Sequence, residues 1–113
     1  MYAVFVELPP FEKHREQYLD DDAFLVLQED LLLNPLAGDV IQGTGGLRKI
    51  RHRDPRRGKG KRGGLRVIFY YWDGGPEYWL FTVYDKNVAD DLSRRQRDML
   101  HDLLKRELRA RRQ

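Results

Sequence analysis

Two strand-forming runs separated by a short turn constrain the fold of this chain more than any other feature. Residues 66–72 (Arg-Val-Ile-Phe-Tyr-Tyr-Trp) and 78–84 (Tyr-Trp-Leu-Phe-Thr-Val-Tyr) are rich in β-branched and aromatic side chains, which favour strands. The segment Asp73-Gly74-Gly75-Pro76 between them has the composition of a hairpin turn. The run 47–51, which follows glycine-rich residues 43–46, has the length and flanks of a further strand. We therefore predict an antiparallel meander at the centre of the fold.

The first third of the chain predicts one strand followed by two helices. Residues 2–8 have strand composition and end at Pro9-Pro10, where consecutive prolines remove the donors of a ladder. A short helix is predicted over 11–18. A second helix is predicted to begin at Asp20-Asp21-Asp22, whose charge matches the positive end of a helix dipole, and to stop at Asn34-Pro35.

The C-terminal segment predicts an amphipathic helix. Ser93-Arg94-Arg95-Gln96 is a capping-box pattern, and apolar residues then recur at helical spacing as far as Leu108. The predicted order is β-α-α-β-β-β-α, in a single domain spanning 1–113. This order indicates the α+β class: an antiparallel-dominated, twisted sheet with helices on one face and the other face free.

Composition limits the classes of protein that this chain can represent. At 113 residues it is long enough for one core and too short for two. It contains no cysteine, which excludes disulfides and thiolate zinc sites and fits a reducing cytoplasm. No apolar run approaches the roughly 20 residues of a membrane-spanning helix, so we expect a soluble, cytoplasmic protein with no membrane partner.

Charge is strongly segregated along the chain. Residues 1–39 contain nine Asp or Glu and two Lys or Arg, whereas residues 48–66 contain ten Lys or Arg and only Asp54 as an acid. Such a basic block repels itself unless an anion lies against it, and a polyphosphate backbone is the commonest such partner. Nucleic acid is therefore the first partner to consider.

Strand alternation places several basic side chains on shared faces. Lys49 and Arg51 share one face of their predicted strand. On the next strand, one face is shared by Arg66, Ile68 and Tyr70. On the third strand, one face is shared by Tyr78, Leu80, Thr82 and Tyr84. Whether these faces coincide depends on strand register, which stays open at this point. If they do, the predicted catalytic set is Lys49, Arg51, Arg66, Tyr84 and Lys86, the last just past its strand.

These residue types can cleave RNA without a metal or cofactor. The reaction needs a base for a 2′-hydroxyl, cations for the phosphorane charge and an acid for the departing 5′-oxygen. Crowding by other cations favours Lys49 as the base, arginine suits phosphate clamping, and Tyr84 could stack on a nucleobase or relay a proton.

Other residues of the basic block are predicted to bind the RNA backbone. They are Arg48, Arg57, Lys59, Lys61 and Arg62. Glycines in the block match G-x-G-x-x-G, but a strand follows instead of a helix, which disfavours a dinucleotide site. Histidines are scattered and the aspartate run is explained by helix initiation, so no metal site is predicted.

Several motifs, taken together in their order and spacing, resemble HigB-type toxins of the RelE superfamily over nearly the whole chain. The motifs are Asn34-Pro35, 38–41, 43–51, 58–64, 66–71, 84–87 and Asp91-Leu92. The resemblance implies a RelE-like fold and a ribosome-dependent endoribonuclease of a type II toxin-antitoxin pair. Such a protein would cut messenger RNA on the ribosome, contact ribosomal RNA and be neutralised by a helix-turn-helix antitoxin. Lys49, Arg51 and Arg66 match the basic catalytic positions of that family.

Two functions of other classes remain open. The chain could bind RNA or DNA without breaking a bond, or it could be a protein-interaction module whose basic face meets an acidic partner.

Overall fold

Five strands and three helices are formed by the residues that the structure, a computed structural model, describes: 3–54, 64–88 and 91–111. The strands are β1 (Val4–Glu7), β2 (Asp39–Val40), β3 (Arg48–His52), β4 (Leu65–Trp72) and β5 (Glu77–Asp85). The helices are α1 (Pro9–Tyr18), α2 (Asp21–Leu33) and α3 (Arg94–Arg111). The sheet order is β1-β5-β4-β3-β2. Only the β1–β5 pair is parallel among these strands, and the other pairs are antiparallel.

Local sequence explains where the helices begin. Pro9, the first residue of α1, lacks an N–H that would in any case be unbonded there. Asp20 caps α2, because its carboxylate accepts a hydrogen bond from the N–H of Ala23 at 2.8 Å. The predicted capping box at α3 is formed in both directions: the N–H of Gln96 donates to Ser93 Oγ at 3.1 Å, and the N–H of Ser93 donates to Gln96 Oε1 at 2.8 Å.

A buried threonine organises the turn between β2 and β3. Thr44 Oγ donates a hydrogen bond to the carbonyl of Ile41 at 2.6 Å and accepts one from the N–H of Leu47 at 3.2 Å. Ile41 N–H donates to the Leu47 carbonyl at 2.8 Å, which closes the turn. The glycine-rich turn is as predicted, whereas the two-residue strand β2 was not predicted, since a pair of residues carries no periodicity.

A β-bulge at Phe81 changes the side-chain alternation of β5. Phe69 pairs with Leu80, yet the adjacent Ile68 pairs with Thr82, so Phe81 has no partner in the ladder. The extra residue reverses the alternation beyond it. Tyr78 and Leu80 consequently face one side of the sheet, while Thr82 and Tyr84 face the other. The prediction that these four residues share one face is therefore wrong.

Each face of the sheet packs against helices. On one face, Phe11 of α1 and Phe24 and Leu27 of α2 pack with strand residues that include Val67 and Phe69. On the opposite face, Leu100 and Leu104 of α3 pack with Ile68, Trp79 and Phe81. The α+β class and the order of the predicted elements are confirmed. The second face, however, is not free, because its aromatic half requires the cover that α3 supplies.

The C-terminal turn of α3 is anchored at the hairpin end of the sheet. Arg111 lies 3.1 Å from the carboxylate of Glu77 and 3.5 Å from that of Glu107. Its guanidinium also lies 4.8 Å from the ring centroid of Trp79 and 5.8 Å from that of Trp72. The Arg111 side chain is largely shielded from solvent, so these contacts are only partly screened.

Within the described ranges, no helix has the length and apolar composition needed to cross a membrane.

Replacing Arg111 by Ala should lower the free energy of unfolding by about 1–2 kcal/mol, because a shielded ion pair and a cation–π contact are lost together. Urea unfolding followed by tryptophan fluorescence measures the change. Arg109→Ala is the matched control, since it removes the same charge from an exposed arginine two residues earlier in α3. Equal stability of the two variants would contradict the anchoring role.

Candidate active site

Strand register brings three of the predicted catalytic side chains into one row. Arg51 of β3 is the direct partner of Arg66 of β4, and Arg66 is the direct partner of Tyr84 of β5. Directly paired residues lie on the same face of a sheet. Neighbouring strands are about 4.8 Å apart, so the row crosses roughly 10 Å of the sheet at the end opposite the β4–β5 turn.

Lys49 lies on the same face as this row, two residues before Arg51 on β3. Its partner on β4 is Ile68, which in turn pairs with Thr82 of β5. We call Lys49, Arg51 and Arg66 the cationic site. The three cations share a face beside Tyr84, so the faces that the sequence leaves open do coincide here.

The cationic site borders a cavity of about 490 Å³ at the exposed edge of β3, here called the edge cavity. Lys49, Arg51 and Arg66 all line it, and Asp30, Asp39 and His52 line it as well. Arg51 is exposed, and no hydrogen bond or ion pair joins its side chain to another residue in 3–54, 64–88 or 91–111. The cavity therefore offers an exposed guanidinium beside two further cations, which suits an anionic ligand.

His52 lines the edge cavity as a buried, neutral group. Burial lowers its pKa, with Arg53 adding to the effect and Asp30 opposing it. Its Nδ1 lies 3.8 Å from a carboxylate oxygen of Asp30. The side chain alternates to the face opposite Lys49, as expected from its position on β3. His52 is thus a wall of the cavity on the far side of the strand from the cationic site.

A carboxylate from outside the sheet holds the lysine of the cationic site. Asp91, which precedes α3, accepts a hydrogen bond from Lys49 Nζ at 3.2 Å and another from the N–H of Leu92 at 3.0 Å. The hydrogen bond from Lys49 lowers the pKa of Asp91, which is therefore ionised at neutral pH. An ammonium held by a carboxylate is a cation and a proton donor.

Tyr84 keeps its proton at neutral pH. Burial raises the pKa of Tyr84 to about 12; Asp91 adds to the rise and Arg66 opposes it. The hydroxyl oxygen is buried, and it has no hydrogen-bond partner in the part of the chain that the structure describes. This phenol can donate a proton or a hydrogen bond to a ligand that reaches it.

Arg48 and Lys86 are not part of the row Arg51–Arg66–Tyr84. Arg48 alternates to the face opposite Lys49 and donates hydrogen bonds to the carbonyls of Leu36 and Gly38, at 2.9 and 3.4 Å. Lys86 follows β5, where its N–H donates to the Gly64 carbonyl at 3.0 Å, and it does not line the edge cavity. The remaining predicted RNA-binding residues, Arg57, Lys59, Lys61 and Arg62, fall outside the described residues.

Asp91 and Asp39 are two acidic residues near the cationic site for which no role is predicted from the sequence. Asp91 lies 42 positions from Lys49, and no periodicity links them. Asp39 pairs with Lys49 through the unpredicted strand β2. The described ranges contain no cluster of three His, Cys, Asp or Glu side chains grouped to hold a metal ion.

The fold is similar to that of a protein of known structure. No family model matches the sequence. The structure is similar to that of E. coli toxin RelE, solved in the free state as a variant with two arginines replaced by alanine. The TM-score is 0.53 and the sequence identity 14%, over 80% of this chain and 90% of the RelE chain. The RelE-like fold predicted from the sequence is thus confirmed.

Replacing Asp91 by Asn should tighten the binding of single-stranded RNA roughly fivefold. The change removes a negative charge beside Lys49, and two unit charges about 4 Å apart in water interact by about 1 kcal/mol. Fluorescence anisotropy with a labelled oligonucleotide measures the effect, which should shrink as salt is added.

Asp73→Asn is the control for this change. It removes the same charge at the exposed β4–β5 turn, at the other end of the sheet. If both variants bind RNA equally well, Asp91 does not compete with phosphate for Lys49.

Proposed function

We propose that this protein is a ribosome-dependent messenger RNA endoribonuclease, acting as the toxin of a type II toxin-antitoxin pair. The observation that carries the proposal is the row Arg51–Arg66–Tyr84, with Lys49 on the same face. Two guanidinium groups, an ammonium and a protonated phenol supply the charge stabilisation and the acid that metal-independent cleavage of a phosphodiester uses.

The chemistry follows from the state of each group. Solvent takes up the proton of the 2′-hydroxyl, the 2′-oxygen attacks the adjacent phosphorus, and the bond to the 5′-oxygen breaks. The products are a 2′,3′-cyclic phosphate and a 5′-hydroxyl. Arg51 and Arg66 stay charged and hold the phosphorane oxygens. Tyr84, whose pKa lies far above neutrality, donates the proton that the departing 5′-oxygen takes up.

Lys49 acts as a cation in this proposal. Crowding by other cations alone favours Lys49 as the base, but Asp91 forms an ion pair with its ammonium in the free protein. A bound phosphate is also an anion and favours the same charged form. We therefore assign Lys49 to the stabilisation of negative charge on the phosphorane.

The biological setting is proposed from two likenesses. The fold is that of a RelE toxin, and the sequence motifs resemble HigB-type members of the same superfamily. We propose messenger RNA in the ribosomal decoding site as the substrate, with ribosomal RNA contacts, in the cytoplasm. We further propose a helix-turn-helix antitoxin, encoded beside the toxin, as the neutralising partner.

Arg66→Ala and Tyr84→Phe should each slow the cleavage of messenger RNA on translating ribosomes by about 10²–10³, the usual cost of losing one preorganised transition-state group. Primer extension that maps new RNA ends over time gives the rates. Tyr84→Phe removes a single buried oxygen without a described partner, so the fold should be retained, which circular dichroism checks.

Arg109→Ala serves as the control for the loss of one positive charge far from the row. Wild-type rates in Arg66→Ala or Tyr84→Phe would refute the catalytic assignment. RNA that binds but stays whole on active ribosomes would favour the non-catalytic binding module. An acidic protein that binds the cationic site in the presence of excess RNA would favour the protein-interaction module.

Replacing Lys49 by Arg separates charge from proton transfer, because arginine stays protonated in proteins. We expect Lys49→Arg to retain cleavage within about tenfold of wild type and Lys49→Met to lose about 10²-fold. Single-turnover rates on programmed ribosomes measure both variants. If Lys49→Arg is as slow as Lys49→Met, Lys49 is the base after all.

A further inference from the structure

A second cavity, of about 370 Å³, adjoins the cationic site on its β5 side. We call it the helix cavity, because α1 and α3 form two of its walls. Its lining from β5 consists of Thr82, Val83 and Tyr84. The volume lies within the range of about 300–1,000 Å³ that is usual for small-molecule sites.

Apolar side chains form most of the wall, and a few polar groups interrupt them. The apolar lining includes Val88, Leu92 and Met99. Val88 and Met99 are well exposed, at 75% and 60%. His14 of α1 also lines the cavity, and no side-chain hydrogen bond or ion pair of His14 is present within the described ranges. A mostly apolar cavity with a few polar groups is the composition usual for small-molecule sites.

Tyr84 connects the helix cavity with the cationic site. It lines the cavity and is also the direct strand partner of Arg66. Its buried hydroxyl, without a partner in the described part of the chain, adds a hydrogen-bond donor at the junction. A ligand whose phosphate lies on Arg51 and Arg66 therefore has a neighbouring group within reach of this cavity.

The two sites differ in charge in the same way as the phosphate and the base of one nucleotide. A nucleotide has an anionic phosphate and, one sugar away, an uncharged aromatic base. The cationic site matches the first, and the apolar cavity beside Tyr84 matches the second. Single-stranded RNA is commonly read in this manner, with unstacked bases placed against aromatic and apolar side chains.

We propose that the helix cavity binds the nucleobase next to the scissile phosphate and so determines the base preference of cleavage. The inference rests on the proposed function and adds to it a specificity site. Val88, Met99 and Tyr84 contact the ring, and His14 distinguishes its polar edge.

The test measures cleavage at one codon of ribosome-bound messengers that cover all sixteen dinucleotide steps. Wild type should discriminate by about tenfold or more among bases on one side of the cut, the scale that a shaped pocket supplies. Val88→Trp introduces a large side chain at an exposed position of the cavity wall. It should reduce the discrimination among bases to below about threefold. His14→Ala should alter the preference between bases that differ in their polar edges.

Matched controls keep these outcomes distinct. Leu33→Trp introduces the same side chain at an apolar residue of α2 that is 86% exposed, and it should keep the wild-type preference. Gln17→Ala is the control for His14→Ala on α1. Arg66→Ala should slow all sixteen steps by a similar factor.

Three results overturn the inference. Uniform cleavage by wild type shows that no base is selected, and an unchanged preference in both Val88→Trp and His14→Ala places selection elsewhere. In both cases cleavage itself still supports the proposed function. If wild type cleaves none of the messengers, the proposed function fails and the base site fails with it.

Discussion

The candidate site depends on one irregularity in the sheet, the bulge at Phe81. Without the extra residue, regular alternation from Tyr78 would direct Tyr84 into the core beneath α1 and α2. The bulge shifts the pairing of β4 and β5 by one residue and turns Tyr84 to the side of Arg66 and Lys49. Leu80 and Phe81 still follow regular alternation and are buried in opposite cores. The extra residue thus changes only the residues beyond it, and so completes the polar row.

Charge is balanced around the site by carboxylates that come from other parts of the chain. Asp91 forms an ion pair with Lys49 at 3.2 Å, and Asp39 is the neighbour of Lys49 in the strand register of β2 and β3. Three cations close together would repel one another in the free protein, and nearby carboxylates reduce that repulsion. Burial of Tyr84 acts in a different way, since it raises the pKa and preserves the proton. Repulsion among the three cations is therefore reduced in the free protein, while the exposed guanidinium of Arg51 can still bind an anion.

Helix α3 connects the stability of the fold with the shape of the site. Its last turn is fixed at the hairpin end through Arg111, Glu77 and Trp79. Its middle packs against the turn before β3, where an added side-chain carbon at Gly45 would lie 3.0 Å from His101. Its first turns form a wall of the helix cavity. One helix thus covers the aromatic half of the second face and leaves the basic half uncovered.

The sequence by itself determined the α+β class, the basic character of β3 and every element except the short strand β2, because these follow from local composition, capping and periodicity. Alternation also predicted that Lys49 and Arg51 share a face, since alternation holds within an unbroken strand. Only the tertiary structure decided that this face coincides with those of Arg66 and Tyr84, because register and the bulge arise from pairing between strands. The tertiary structure also decided the ion pair between Asp91 and Lys49 and the cavity between α1 and α3, since both bring together residues that are distant along the chain.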